Sequence, residues 1–583
     1  MADVLDSLGA KPAKESKAQR SERLKLEKNP WDAWDEVRAF AREGRGSVLP
    51  EWAGLYFKWW GVYTQGDGVG ATGGVGGEGK ATEYFMMRIG LPNGIVSAHQ
   101  LRVIARLTRT HARNLADITT RQNIQLHWLT LESLVEIVDE LTAIGLSPKG
   151  ACGDVVRNVT GCPLAGLDGH QLLDASPLAR EIARALTGNP DFYNLPRKFK
   201  ITASGCPLWC SYPEINDVGL TAVAREVGGA REVGYTLRVG GGLSAEPHMA
   251  VRIPAFVRQH QALAVAIATA EIFREQTELR ENRTRARLKY LFMRHGWTAE
   301  SFLAALEAKL GYALDPAPAT EEIIPDDVYR DHIGVTPQRE PGFSAVGASV
   351  LRGRMSGDQM ERLADLAEQY GSGAGELRTT IMQNILLVNI PNERVRALVE
   401  ELGHMDLRVE VNPFWRGAIA CTGTEFCKLA IAETKGFAKW LVSEMEDRLP
   451  GFDQQIKLHV TGCTNSCGQH WIADIGLEGK KIKQNGALVD AFFFCVGGAV
   501  GRYARPARPT GYRAAAEDVP AAIERLLRGY LVNRTSGEDL RSYFGRTELE
   551  VLRAQLSGTS VSELPAPDTR DPAPGGGAHA VDA

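Results

Sequence analysis

The sequence predicts a mixed α+β (α/β) protein with a duplicated two-lobe architecture, in which a pseudo-twofold axis relates a small half-repeat and a larger α/β domain to their copies. Three observations predict it. The phrase "SGCPLWCSYPEINDVGL" (204–220) returns as "TGCTNSCGQHWIADIGL" (461–477), and Gly205, Cys206, Cys210, Asp217, Gly219 and Leu220 fall at one constant offset on Gly462, Cys463, Cys467, Asp474, Gly476 and Leu477. Upstream, "NGIVSAHQLRVIARLTRTH" (93–111) has a counterpart in "RMSGDQMERLADLAEQYG" (354–371), each a polar turn leading into an amphipathic helix. The chain's 583 residues also exceed a single ordinary core. A repeat this long makes two large lobes rather than a solenoid, and sites in such proteins favour the junction, where one copy can keep the ligands while the other diverges.

Taken in order, residues 1–30 are charged and read as a flexible end without the apolar centre of a signal peptide. Residues 31–150 hold the first half-repeat, a β-α-β-α unit in which the helix of 93–111 is followed by a strand in "TTRQNIQLHWL" (119–129) and a second helix in "LESLVEIVDELTAIGL" (131–146). Two decoys lie in this segment. "GVGATG" (68–73) has the dinucleotide-loop spacing but no helix leads out of it, and "GVGGEGKA" (74–81) puts Ala81 where a phosphate loop needs Ser or Thr, so both read as a Gly-rich loop. The first large domain is expected over 151–335. The second half-repeat follows over 336–408, with its strand in "TTIMQNILLVNI" (379–390) and its helix in "NERVRALVEELGHMDL" (392–407). The second large domain takes 409–558, and the Pro/Gly/Ala-rich 559–583 reads as a flexible tail.

Composition narrows the function. Sixty-seven basic and 71 acidic residues leave a net charge of -4, which is no nucleic-acid footprint. No run of 18 apolar residues exists to cross a membrane, so a cytoplasmic protein is expected. The nine cysteines are an odd number with close pairs among them, and in a reducing compartment that pattern points to metal rather than disulfides.

Four ligands close a cubane or a tetrahedral site. The second copy offers them: Cys463 and Cys467 at C-x3-C, and Cys421 and Cys427 at C-x5-C in "ACTGTEFCKLAIAETKG" (420–436). Zinc is the rival, but its knuckles favour gaps of two to four, whereas wider gaps suit the larger cube. In the first half "NVTGCPLAGLDG" (158–169) supplies only Cys162. With Thr160-Gly161 set against Thr422-Gly423, Ala165 stands at the place of Cys427. The second copy is therefore expected to hold metal, Cys206 and Cys210 to be packed or hydrogen-bonded relics, and Cys495 a core residue.

"CTGTEFCKLAIAET" with "TGCTNSCGQ", behind a duplicated half-repeat, resembles the assimilatory nitrite and sulfite reductases that contain sirohaem and a [4Fe–4S] cluster. The resemblance runs from about residue 30 to 550. It implies ferredoxin-like half-domains and two larger domains that bind sirohaem and the cluster. It implies one [4Fe–4S] cluster on Cys421, Cys427, Cys463 and Cys467, with Cys467 also bridging to the sirohaem iron. It further implies a monomer that takes electrons singly from reduced ferredoxin for a six-electron reduction, and a cluster coupled to the haem limits release of partly reduced products. No segment of the chain forms a credible NAD(P)H or flavin fold, which leaves a separate donor.

Sirohaem carboxylates and an anionic substrate both need cations around them. By resemblance Arg88, Arg157, Lys198 and Lys200 surround the substrate, while Arg121, Gln125 and Arg197 attend the haem. Read from the residues alone, Lys198 and Lys200 alternate on an extended segment and point to one face. Lysine is the expected proton donor, because guanidinium stays protonated. The basic run "RENRTRARLKYLFMRHGW" (280–297) is expected to put Arg285 and Lys289 on one helical face, as a solvated surface, a haem-carboxylate site or a ferredoxin dock. Cys152, five residues before Arg157, is expected near the haem, as an ordinary buried thiol or linked to a tyrosine such as Tyr63.

The substrate divides the motifs. "SCGQ" and "TGTEFC…AIAETK" look like the nitrite branch, whereas Lys200 stands where nitrite reductases commonly carry asparagine, a sulfite-like feature. Nitrite is the favoured substrate and sulfite the alternative. A non-catalytic scaffold with a structural metal is a remote third reading, disfavoured because such a protein does not need the cations of the first half.

Overall fold

A computed structural model describes residues 15–65, 84–317 and 330–568. The Gly-rich decoys, the first fourteen residues and the last fifteen lie outside the described residues. The architecture is mixed α/β, with four sheets. One five-stranded sheet runs in the order Val62–Gln65, Tyr84–Ile89, Ile124–Leu129, Ala116–Ile118, Arg354–Met355; another runs Gly334–Pro337, Phe343–Ala348, Ile385–Pro391, Glu376–Thr379, Ile95–Ser97. Each half-repeat thus lends its partner an edge strand. Arg354–Met355 pairs with Ala116–Ile118, and Ile95–Ser97 with Glu376–Thr379, both antiparallel.

This exchange is the pseudo-twofold axis in physical form. Gln122 and Gln383, both at positive φ, reach across it: Gln122 Nε2 donates to the Thr379 carbonyl at 2.8 Å and Gln383 Nε2 to the Ile118 carbonyl at 3.0 Å. The helices Ala98–His111 and Gly357–Tyr370 pack together over one apolar core shared by the two half-repeats. Each has a capping box, Ser97 with Gln100 and Ser356 with Gln359, which satisfies the free N–H groups of the first turn.

The larger domains repeat one mixed topology. Thr160–Gly161, Ile201–Ser204 and Val218–Val227 run parallel, as do Ala418–Ala420, Leu458–Thr461 and Ile475–Gln484; antiparallel strands then complete each sheet. Their registers correct the alignment read from sequence. Gly161 pairs with Ala203 as Ala420 pairs with Val460, and Ala203 stands to Val460 as Cys206 does to Cys463. Cys162 therefore occupies the place of Cys421, and the residue at Cys427's spacing is Asp168, not Ala165. The cysteine phrases lie just past the carboxyl ends of the parallel strands, where open α/β sheets bind ligands. A layer of Trp209, Tyr212, Ile215, Ile419, Trp471 and Ile472 joins the two domains.

Three expectations of flexibility and shape are corrected. Within the stretch read as a flexible N-terminus, Lys17–Glu27 is a helix. Several of its charges are paired: Arg23 meets Glu15 and Glu27, and buried Lys25 meets Glu22 at 2.5 Å and the Leu195 carbonyl at 2.9 Å. At the other end, residues up to Asp568 are placed, and Asp568 pairs with Arg513 at 2.8 Å. Arg285 and Lys289 do not share a helix, because Arg283–Arg285 is a 3-10 turn and the α-helix begins at Lys289.

Candidate active site and metal centre

Four thiols converge in the second large domain. Cys421 follows the strand Ala418–Ala420, Cys463 lies two residues past Leu458–Thr461, and Cys427 and Cys467 come from the loops after them. All four line one cavity of about 870 Å³ with Tyr63, Arg88, Gln125, His127, Arg157 and Lys198. The Gly462 N–H donates to Cys421 Sγ at 3.1 Å, and Asn465 Nδ2 to Cys463 Sγ at 3.5 Å, contacts that favour thiolate. Without a cation the thiols would stay protonated, since burial pushes Cys427 to about 12 and Cys421 and Cys463 upward. Cys467 is the exposed member and faces a second, adjoining cleft.

That cleft, of about 1010 Å³, is lined by Arg88, Arg121, Arg157, Lys198, Lys200, Arg287 and Lys435, against one acid, Asp117. Lys198 and Lys200 flank Phe199, whose bridge to Val156 holds them extended, so both enter the same cleft as the alternation predicts. Arg88 Nε donates to Gln125 Oε1 at 2.8 Å and Nη1 to Cys152 Sγ at 3.5 Å, with its guanidinium over the Tyr63 ring. Burial raises the Tyr63 phenol, with the Cys152 thiol adding to the rise. Arg157 is held by the carbonyls of Gly153 and Ala151, and Arg121 by Asn216 Oδ1 at 2.8 Å and the Asn158 carbonyl at 2.6 Å.

The cations crowd one another. Desolvation lowers Lys198 to about 7, with Arg197, Arg157 and Arg287 adding to the fall while Cys467 opposes it. Arg121 drops to about 9 through burial and Arg157, and Lys200 falls well below the usual lysine range through burial, Arg121 and Arg287. Arg121 Nε is buried without a hydrogen-bond partner. Such a cleft is electrostatically incomplete by itself: it fits a polycarboxylate cofactor and an anionic substrate, and it would expel a cation.

Arg197 is the predicted residue that the fold takes elsewhere. Its Nη1 pairs with Asp154 at 3.2 Å, inside a cluster that also holds Lys25 and Arg283, and it lines neither cavity. The basic run of 280–297 is likewise mostly consumed internally: Arg287 pairs with Asp217 at 2.7 Å, and Lys289 donates to the carbonyls of Leu243 and Glu246. Sequence reasoning missed the buried group beneath the cleft. Asp117 meets His127 at 3.0 Å, Arg354 at 3.0 Å and Lys435 at 3.5 Å, and those last two cations hold it well below the carboxylate range despite burial. These residues come from three distant segments, and no local spacing announces them.

Known proteins share this fold. The family model described as "Nitrite and sulphite reductase 4Fe-4S domain" matches residues 152–314 and 412–562, and "Nitrite/Sulfite reductase ferredoxin-like half domain" matches 78–144 and 336–405. An assimilatory ferredoxin-dependent nitrite reductase of Haloferax mediterranei is 36% identical over 539 residues, 87% of this chain and 88% of that protein. A "Sulfite reductase [ferredoxin] 2" of Mycolicibacterium paratuberculosis is also 36% identical, over 88% of this chain and 92% of its own. The solved structure of the NirA protein of Mycobacterium tuberculosis superposes with a TM-score of 0.85 at 34% identity, covering 94% of this chain and 99% of that one.

Proposed function

The chain belongs to the nitrite and sulfite reductase family, an enzyme family with a 4Fe-4S domain, and from that premise we propose that it reduces nitrite to ammonia with reduced ferredoxin as donor. The observation that carries the reading is the cleft where seven cations and Cys467 meet. Cys421, Cys427, Cys463 and Cys467 would hold a [4Fe–4S] cluster, and Arg121, Gln125 and the adjoining cations would hold sirohaem. Together these groups supply the storage and single-electron delivery that a six-electron reduction requires.

The chain's own residues bind, orient and protonate. Arg88 and Arg157 present fixed guanidinium groups, pre-oriented by Gln125 and by backbone carbonyls, to an oxyanion. Lys198, lowered to about 7, is poised to give up a proton near neutrality, which each departing oxygen requires. The overall conversion takes up six electrons and eight protons and yields ammonium and two waters, so supply of protons matters as much as supply of electrons. Reprotonation of Lys198 can come from water in the open cleft.

One observation favours sulfite as a second reading. Lys200 adds a cation to the same cleft, and a doubly charged anion gains more from it than a singly charged one. Turnover of both anions by the holoenzyme with reduced ferredoxin tests the choice. A kcat/KM greater for nitrite supports the proposal, and one greater for sulfite replaces it. Lys200→Asn is expected to lower the sulfite-to-nitrite ratio about tenfold, the loss of roughly 1.4 kcal/mol of discrimination.

A further inference from the structure

The counterpart of the cluster turn in the first half is not an inert remnant. The side chains of Cys162, Cys206 and Cys210 are all buried and belong to one small cluster. A fourth donor arrives from a remote segment. Among the described residues, Cys162, Cys210 and His332 form the one group of His, Cys, Asp or Glu whose ligand atoms all lie within 4.8 Å of one another.

His332 is held there against local preference. Its backbone is left-handed at φ 61, which a residue with a Cβ seldom adopts without external support. The support is visible on each side. Arg330 pairs with Asp168 at 2.5 Å; Asp331 binds Arg416 at 2.7 Å and 2.8 Å; and the Ile333 carbonyl accepts from Arg416 at 3.0 Å. Gly347 lets the segment in, because a side-chain carbon there would lie 1.7 Å from the His332 carbonyl oxygen. The imidazole so placed is 5% exposed, and neither ring nitrogen has a hydrogen-bond partner. A buried imidazole normally satisfies at least one nitrogen, and leaving both unpaired is costly unless a ligand takes one.

We infer that Cys162, Cys206, Cys210 and His332 form a second metal site, a closed tetrahedral Cys3His site for a structural zinc ion. The spacing supports one ion rather than a cube. Ligand atoms around a tetrahedral zinc sit about 3.8 Å apart when bonds are near 2.3 Å, compatible with the tight trio, whereas a cubane spreads its thiolates over separate corners. Binding releases three thiol protons and leaves the site with one net negative charge. Arg330 Nη1 stands 3.7 Å from Cys206 Sγ and faces that charge. Full enclosure with no lining cleft makes the site structural rather than catalytic. It ties the 160–210 loops to the strand segment that opens the second half-repeat.

The test is metal analysis of the holoprotein purified without chelators, with iron and zinc counted per chain, followed by zinc-edge X-ray absorption. The expected result is one zinc per chain with about three sulfur neighbours and one nitrogen, distinct from the iron. His332→Gln and Cys210→Ser are expected to lower the zinc content at least tenfold while iron content and the visible spectrum stay unchanged. Wild-type protein without zinc that also takes up none from added Zn2+ would overturn the inference. So would a disulfide between any two of Cys162, Cys206 and Cys210, read by peptide mass without reduction. Zinc retained at full stoichiometry in His332→Gln would remove His332 from the ligand set. These readouts do not depend on which anion the enzyme reduces.

Discussion

The two cysteine turns of this molecule share a backbone and differ in what covers them. Trp209 and Tyr212 in the first copy, and Ser466 and Gln469 in the second, take the same left-handed conformations at matched positions. Asp217 accepts the Lys200 N–H at 2.8 Å, and Asp474 accepts the Lys457 N–H at 2.7 Å. Around these common bonds the contents diverge. The first turn is roofed by the segment 330–333 and its thiols are buried, whereas the second opens on a cation-lined cleft with Cys467 exposed. Duplication preserved a cysteine-bearing turn, and its access to solvent differs between the copies.

The sharpest way to break that comparison is to remove matched thiols. Cys467→Ser is expected to abolish turnover and cluster absorption together, since a cubane and its electronic coupling depend on that ligand in the proposed site. Cys210→Ser, its first-half counterpart, should leave iron content and kcat within about twofold. Iron quantitation and ferredoxin-driven turnover of both variants decide the matter; loss of the cluster in Cys210→Ser would show that the halves are not separable.

Next in size is the proton donor. Lys198→Met is expected to keep both chromophores and lose about 10²- to 10⁴-fold in kcat, the range of general acid catalysis. The matched position in the second half, Gln455, is exposed, and Gln455→Met should change nothing measurable. Unaltered kcat in Lys198→Met would assign the proton to another group in the cleft.

How much of this was legible depends on how local each feature is. The half-repeats could be read because their helices carry capping boxes and apolar periodicity in continuous sequence, and the convergence of Cys421, Cys427, Cys463 and Cys467 because their spacing is short. Arg88, Arg121, Arg157, Lys198 and Lys200 were found through charge and resemblance, and the fold gathers all five. The pairing of Arg197 with Asp154, 43 residues away, could not be read from local spacing. Cys162 was set against the wrong residue because Thr-Gly occurs in both segments while strand register, which fixes the true match, is a property of pairing across the sheet. The approach of His332 to Cys162 and Cys210 depends on a chain reversal with no local motif.

A pH profile sharpens the comparison more gently. Before an anion binds, the Lys198 ammonium titrates near 7, depressed by desolvation and the surrounding cations. An anion stabilises the charged form and raises that pKa, so binding takes up a proton above the free value. Nitrite affinity of the reduced holoenzyme is therefore expected to be flat below about pH 7 and to fall by up to about tenfold per unit above it. Lys198→Met should remove the slope. Titration calorimetry in two buffers of different ionisation enthalpy would report the proton directly, and an equal heat in both at pH 8 would rule the linkage out.

The smallest effect tests the symmetry itself. Gln100 accepts from the Ser97 N–H at 3.1 Å and donates to the Ile144 carbonyl at 3.0 Å; Gln359 accepts from the Ser356 N–H at 2.9 Å and donates to the Met405 carbonyl at 3.0 Å. Each glutamine thereby ties the start of one helix to the end of the next, and each serine caps its own first turn. Ser97→Ala and Ser356→Ala are expected to cost about 1 kcal/mol apiece, seen as equal shifts of the denaturant midpoint. The two caps lie at opposite ends of the packed helix pair, since the Gly357 N–H meets Asn114 Oδ1 at 2.8 Å beyond the far end of Ala98–His111, so the double variant should equal the sum of the singles to within about 0.5 kcal/mol. Unequal single shifts would mean that one half-repeat leans on its cap more than the other, and that divergence of the halves reaches beyond the cysteine turns into the shared core.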